Sequence, residues 1–291
     1  MKSKQKNYLN RTCIAICILL FTLVFIRPVY VEAGTPAIVK IPSGSDAGLD
    51  KYDITGDGIP DSIKAFSDYD EYDYYYLYVT VNGRTAYKTE LNEEYASFEA
   101  KIIHLKNGRT FLYLANNFME NNSSYKIYKY SNGLFKPIIN LNSNVGKQSY
   151  GTYFGNIILK VSGNTLKVYG THHSYTLGKV SVRHEYVYKN GVLKLSPATG
   201  YIRKITQKKN NKLISSRTLT VKKSLTAYKS ATSNKKYFTL RKGQKVTVDK
   251  IYYSKKSGLR VRTKYKKKYG WIKCSKKKNN GYFKYIYLPI L

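Results

Sequence analysis

Residues Tyr128–Lys136 read YKYSNGLFK, and the same frame, Y-x-Y-x-N-G-x-x-K, returns at Tyr186–Lys194 as YVYKNGVLK. A third run, YVTVNGR at Tyr78–Arg84, keeps the tyrosine, the alternation and the Asn-Gly pair. Alternating residues on a strand point to opposite faces, and Asn-Gly accepts the positive φ angles of a type I′ turn. Each run therefore predicts a β-hairpin. The Asn-Gly pairs lie 50 and then 58 residues apart, near the length of a propeller blade. Three blades are fewer than the four to eight of a closed propeller. The expectation is an all-β chain whose N-terminal part is an incomplete, propeller-like array or a sandwich, unless unrelated hairpins share Asn-Gly by turn physics alone. Between the hairpins, FLYL at 111–114 and IILKV at 157–161 read as further strands. Leu166–Tyr188 reads as another hairpin turning at Leu177-Gly178, which would put His173 and His184 on one face.

The first 33 residues have the layout of a signal peptide. Lys2, Lys4, Lys6 and Arg11 precede an apolar run from Cys13 to Ile26, and Val31-Glu32-Ala33 offers a cut before Gly34. The apolar run is 14 residues long, short of the roughly 20 that a spanning helix needs, and no other stretch is apolar enough to span a bilayer. Cys13 and Cys17 fall in this leader, which leaves Cys274 alone and excludes a disulfide scaffold. The expectation is a secreted, Gram-positive type of protein, associated with the cell wall.

Charge is segregated along the chain. Residues 34–100 hold 5 Lys/Arg against 13 Asp/Glu, residues 101–200 hold 13 against 2, and residues 201–291 hold 28 against 1. A tail of net charge +27 seeks anions. For an exported chain these are anionic cell-wall polymers carrying phosphate, peptidoglycan, anionic lipid headgroups or acidic glycans. Nucleic acid fits the charge but not the compartment. In the tail, Lys264, Lys266, Lys267 and Lys268 interleave with Tyr265, Tyr269 and Trp271, so rings can stack on sugars while ammonium groups meet phosphate or carboxylate.

RKITQKKNNKLISSR at 203–217 is polar, basic and without acid, and reads as a linker between a domain at 34–202 and one at 218–291. Beyond it, Leu240-Arg-Lys242-Gly243-Gln-Lys245-Val246-Thr-Val248 is followed by the alternating Leu259–Thr263 and by Gly270-Trp271-Ile272. This order resembles bacterial SH3 (SH3b) domains over about a quarter of the chain, and the resemblance implies a small SH3-like barrel. Thr226–Thr232 departs from the family's usual opening turn.

YDITGDGIPDSI at Tyr52–Ile63 is the most chemically specific run. Asp53, Thr55 and Asp57 occupy the first three alternate positions of a calcium loop, Ile59 can offer its carbonyl, and Asp61 holds the ninth position. The twelfth, where an EF-hand has glutamate, is Lys64, and Pro60 argues against a flanking helix. The loop resembles calcium-loop repeats of FG-GAP and VCBS-type β-propeller proteins, which implies Asp53, Thr55, Asp57, Ile59 and Asp61 as ligands of a structural calcium ion. A polar Asp/Gly turn without an ion is the alternative. The acidic, aromatic stretch Asp68–Tyr76 reads as a solvated loop entering a strand, and Cys274 as a small hydrophobe. No nucleophile–base pair or placed carboxylate pair stands out. The expected protein is non-catalytic and wall-binding; the alternatives are a cell-wall hydrolase targeted by the SH3b-like part and a secreted adhesin.

Overall fold

A computed structural model describes residues 34–91, 97–117, 124–141, 155–275 and 281–287. The expected signal peptide, 1–33, lies outside the described residues. The described chain is all-β, with no α-helix.

The first strand, β1 (Ala37–Lys40), is separated from its partner by a complete meander: β2 (Leu49–Tyr52), β3 (Asp61–Tyr69), β4 (Tyr75–Val81) and β5 (Arg84–Glu90) pair in sequence as the first sheet. A second meander, β6 (Ser97–His104), β7 (Thr110–Asn117), β8 (Ser124–Ser131) and β9 (Leu134–Asn140), takes β1 on the free side of β6 and forms the second sheet. A third begins with β10 (Gly155–Ser162), β11 (Thr165–Ser174), β12 (Gly178–Lys189) and β13 (Val192–Leu195). The three Asn-Gly pairs occupy the same place, the last turn of each meander, with φ of 52° and 76° at Asn82-Gly83, 53° and 81° at Asn132-Gly133, and 52° and 77° at Asn190-Gly191. Both central residues are left-handed, as type I′ requires.

The third sheet continues through β14 (Gly200–Lys209), β15 (Lys212–Ser215), β16 (Thr218–Thr220), β17 (Leu225–Tyr228), β18 (Lys236–Leu240), β19 (Lys245–Ser254), β20 (Gly258–Tyr265) and β21 (Lys268–Lys273). Its ladder runs β10-β11-β12-β14-β19-β20-β21-β17-β18, with β13, β15 and β16 paired to β12, β14 and β19. The small barrel expected at the C-terminal end is not closed, because this ladder of described strands does not return on itself. Residues 203–217 are not a linker. They form most of the β14–β15 hairpin, which turns at Asn210 and Asn211 with φ of 48° and 60°. Polar, lysine-rich sequence suits an edge hairpin as well as a linker, since lysines guard a sheet edge against further pairing. Chain past residue 281 closes over this region: Phe283 bridges to Val221, and the N–H groups of Lys208 and Lys179 donate to Tyr285 and Tyr287 at 2.9 and 3.1 Å.

The second sheet lies between the other two. Ala100, Ile102, Leu112, Leu114 and Tyr128 pack with Ile63, Ala65, Val79 and Val81 of the first sheet. Their sequence neighbours Ile103, Phe111, Tyr113, Ala115 and Ile127 pack with Leu159, Leu166, Val168, Val180 and Val182 of the third. Burial on both faces explains why 111–115 is continuously apolar rather than alternating. The second of these clusters runs on through Leu219, Val246, Val261 and Phe283, so one core crosses the boundary expected near 203–217.

The β11–β12 turn corrects one pairing. Ser174 opposes Gly178 across a three-residue turn, so His184 opposes Val168 and His172 opposes Val180. His172 and His184 thus share the core face, while His173 faces the other way beside Lys179. Lengthening the turn by one residue reverses the face of every partner. Burial lowers the pKa of His172 to about 3 and of His184 to about 4. Both stay neutral in the fold but bind protons in the unfolded chain below about pH 6.5. Between about pH 6.5 and pH 4 the unfolded state therefore holds more protons, and stability falls as pH drops through that window. Urea midpoints measured from pH 7.5 to 4.5 are expected to decline, and His172→Leu is expected to flatten the decline.

Candidate functional site

The sequence pointed to two places, the Asp53–Asp61 loop and the basic C-terminal strands. The loop connects β2 to β3, and Tyr52 opposes Asp61 at its base. Asp61, the first residue of β3, is 1% exposed. Its Oδ2 accepts the N–H groups of Ile54 and Thr55 at 2.7 and 2.9 Å, and its Oδ1 accepts the side-chain amide of Asn82 at 2.7 Å. Asn82 in turn accepts the N–H of Ser62 at 2.8 Å through its own Oδ1. The Asn-Gly turn of the first meander is therefore also a clamp on the loop. Sequence reading took Asn82 only as a turn former; nothing in the spacing signals a contact 21 residues away.

Asp53 caps the outer half of the loop. Its two oxygens accept the N–H groups of Gly56 and Gly58 at 2.5 and 2.8 Å, with the Thr55 hydroxyl at 3.4 Å. Asp57 accepts the N–H of Ile59 at 2.8 Å and is exposed. Ile59 itself is 66% exposed. Gly56 and Gly58 adopt φ of 86° and 88°, which lets so many N–H groups turn inward. The five expected calcium ligands thus share a loop, but Asp61 and Asp53 are already committed to N–H donors. Among the described residues no group of three or more His, Cys, Asp or Glu is placed to hold a metal ion. Each of these bonds uses one lone pair of a carboxylate oxygen, and together they brace the loop through its own N–H groups.

The first turns of the three meanders lie side by side. Thr55 and Gly56 share a small cavity with Gly108 and Arg109 of the β6–β7 turn. That turn bonds to the next, from the N–H of Lys106 to Gly163 and from the N–H of Asn107 to the Asn164 side chain, at 3.1 and 3.0 Å. The loop also walls a cleft of 680 Å³ with Lys51, Pro60 and His104. Burial lowers the pKa of His104, and its Nδ1 sits 3.0 Å from the Thr110 hydroxyl.

In the basic region, β20 and β21 form a hairpin whose turn is Lys266-Lys267. Lys264, Lys266, Lys267, Lys268 and Tyr269 are exposed there, and Tyr265 is half-buried against the core. Lys266 takes a φ of 52°, a left-handed conformation that a lysine adopts at a cost of about 1–2 kcal/mol. Trp271 does not belong with this tip. It is 9% exposed, opposes Arg262 and Tyr228 on neighbouring strands, and meets Tyr252 edge-on at 6.4 Å between ring centres. The single acid of residues 201–291, Asp249, is taken up by Arg262, which binds both of its carboxylate oxygens. Cys274 packs against the core, and burial pushes its thiol up to about 12, so it carries no thiolate at neutral pH.

No family model, curated protein or solved structure matches the chain. The residues themselves carry the functional argument.

Asp61→Ala leaves the Ile54 and Thr55 N–H groups and the Asn82 amide without their acceptor and is expected to cost about 3 kcal/mol in urea denaturation, with Asn82→Ala costing less because Asp61 keeps both backbone donors and the Ser62 N–H it frees is exposed. Calcium is expected to leave the melting temperature unchanged at millimolar concentration. A saturable rise abolished by Asp53→Ala would establish a calcium site in the loop.

Proposed function

We propose that this is an exported, non-catalytic binding protein whose basic C-terminal third, SH3b-like in sequence from residue 218, attaches it to anionic cell-wall or envelope polymers. One observation carries the reading: residues 201–291 hold 28 cationic side chains and one acid, and that acid is neutralised by Arg262. Such an excess is well beyond what solubility asks of a small domain. Self-repulsion of this size destabilises a compact fold, and a polyanion relieves it. The exposed Lys264, Lys266, Lys267 and Lys268 at the β20–β21 tip extend that charge into solvent on a strained turn. Nine of the thirteen acids among the described residues lie in the first sheet and its loops, so the charge is asymmetric and a polyanion meets the basic region rather than the first sheet.

Attachment of this kind is electrostatic and sensitive to salt. Purified protein is expected to sediment with isolated Gram-positive cell walls at low ionic strength and to elute as sodium chloride approaches 1 M. Walls stripped of their phosphate polymers are expected to retain less. Equal retention in low and high salt would refute the electrostatic attachment.

A further inference from the structure

The outer face of the third sheet carries a row that no single strand reveals. Tyr169 of β11 opposes Arg183 of β12, and Arg183 opposes Tyr201 of β14. Tyr201 opposes Lys250 of β19, Lys250 opposes Arg262 of β20, Arg262 opposes Trp271 of β21, and Trp271 opposes Tyr228 of β17. Directly opposed residues share one face of a sheet, so rings and cations stand in a single line across seven strands. Strands are about 4.8 Å apart, which makes the line about 29 Å long.

Six of the seven residues of the line lie outside the core, and Trp271 is buried. None of its seven residues belongs to either apolar cluster, and all but Trp271 are partly exposed. Its cations are held against rings: the Arg183 guanidinium lies 4.5 Å from the centre of Tyr201 and the Lys250 ammonium 5.3 Å from the same ring. Arg203 and Lys160 flank Tyr169 at 5.7 and 5.9 Å, and Lys273 lies 5.3 Å from Tyr228, whose other neighbour, Arg260 at 5.2 Å, is buried and bonded to Ser233 and Asn234. Cation–π contact stabilises an exposed sheet by about 0.5–1 kcal/mol per pair, which accounts for one cation at each ring. It does not account for two. Nor does it account for Lys250 opposite Arg262, where like charges oppose each other at a cost. Among the described residues the acids beside the line, Glu185 and Asp249, are paired with Arg183 and Arg262. A surplus of fixed positive charge interleaved with aromatic faces is complementary to a chain that alternates rings and anions.

We propose that this row is the track for one linear acidic glycan, a sugar chain bearing phosphate or carboxylate groups, lying across the strands with its rings on the tyrosines and its anions on the interleaved cations. This rests on the reading of the protein as a polyanion binder and adds the ligand class and its direction. It also makes β11, β12 and β14 part of the site, although they precede the SH3b-like segment.

The test measures binding of the purified full chain to oligogalacturonate, a sugar-phosphate polymer, neutral dextran, inorganic polyphosphate and a thymidine oligonucleotide. Both acidic glycans are expected to bind and dextran is not; if only one of them binds, the anion it carries is the one recognised. Tyr201→Ala and Tyr169→Ala are each expected to weaken acidic-glycan binding about tenfold, the size of losing one stacking partner. Their polyphosphate binding is expected to stay unchanged, which also reports that they fold, and Tyr201→Phe is expected to restore glycan binding. Lys250→Gln is expected to weaken both anions and lower the salt dependence. If wild type binds walls but these variants do so equally well, the track is wrong and wall attachment stands. If wild type binds neither walls nor acidic glycans, both readings fall. Preference for the oligonucleotide over either glycan would overturn the glycan in favour of nucleic acid.

Discussion

Burial of the second sheet on both of its faces is the constraint on which the remaining structure depends. Side chains alternate along a strand, so a strand with apolar neighbours above and below commits every residue. Ile102 and Ile103, adjacent in sequence, serve different cores, and so do Leu112 and Tyr113. A slip of one residue would exchange two complete sets of contacts, so packing enforces register here. The first and third sheets each need only one apolar face. Their other faces are left for solvent, which is where the acidic loops and the basic row are found.

Turns then place the chemistry. In each meander the last turn is Asn-Gly with both residues left-handed. In the first meander that turn has a second task, because the Asn82 side chain reaches the buried Asp61 and closes the neighbouring loop. A loop rich in carboxylates would repel itself if the oxygens faced one another. Here inward-turned N–H groups supply the compensation, through glycines that accept positive φ. The stretch that reads as an ion site in one dimension is, in three, a loop braced by its own N–H groups.

The basic C-terminal third shows how much depends on pairing across strands. Its charge excess is plain in the composition, and its strands are plain in the alternation at Leu259–Thr263 and the Gly-Trp-Ile run. The grouping of Trp271 with the lysines of its own hairpin was a neighbourhood in sequence only. In the sheet it stands between Arg262 and Tyr228, and the exposed tip is left to Lys264, Lys266, Lys267, Lys268 and Tyr269. The 203–217 segment was misread for a related reason. Asn210-Asn211 forms the same left-handed turn as Asn-Gly, but lysines flank it, and the strand after it lies at an edge, exposed along its whole length with Leu213 and Ile214 included.

By itself the sequence determined the class of structure, the three hairpins that end the meanders and the opposite charges of the two ends, because alternation, turn chemistry and charge are properties of residues a few positions apart. Only the tertiary structure decided that one core crosses the boundary expected at 203–217, that His172 rather than His173 shares a face with His184, and that Asp61 is bonded to Asn82. It alone also decided that Tyr169, Tyr201 and Tyr228 fall in one line. These depend on which strands pair and in what register, and a single residue in a turn or bulge is enough to reverse a face.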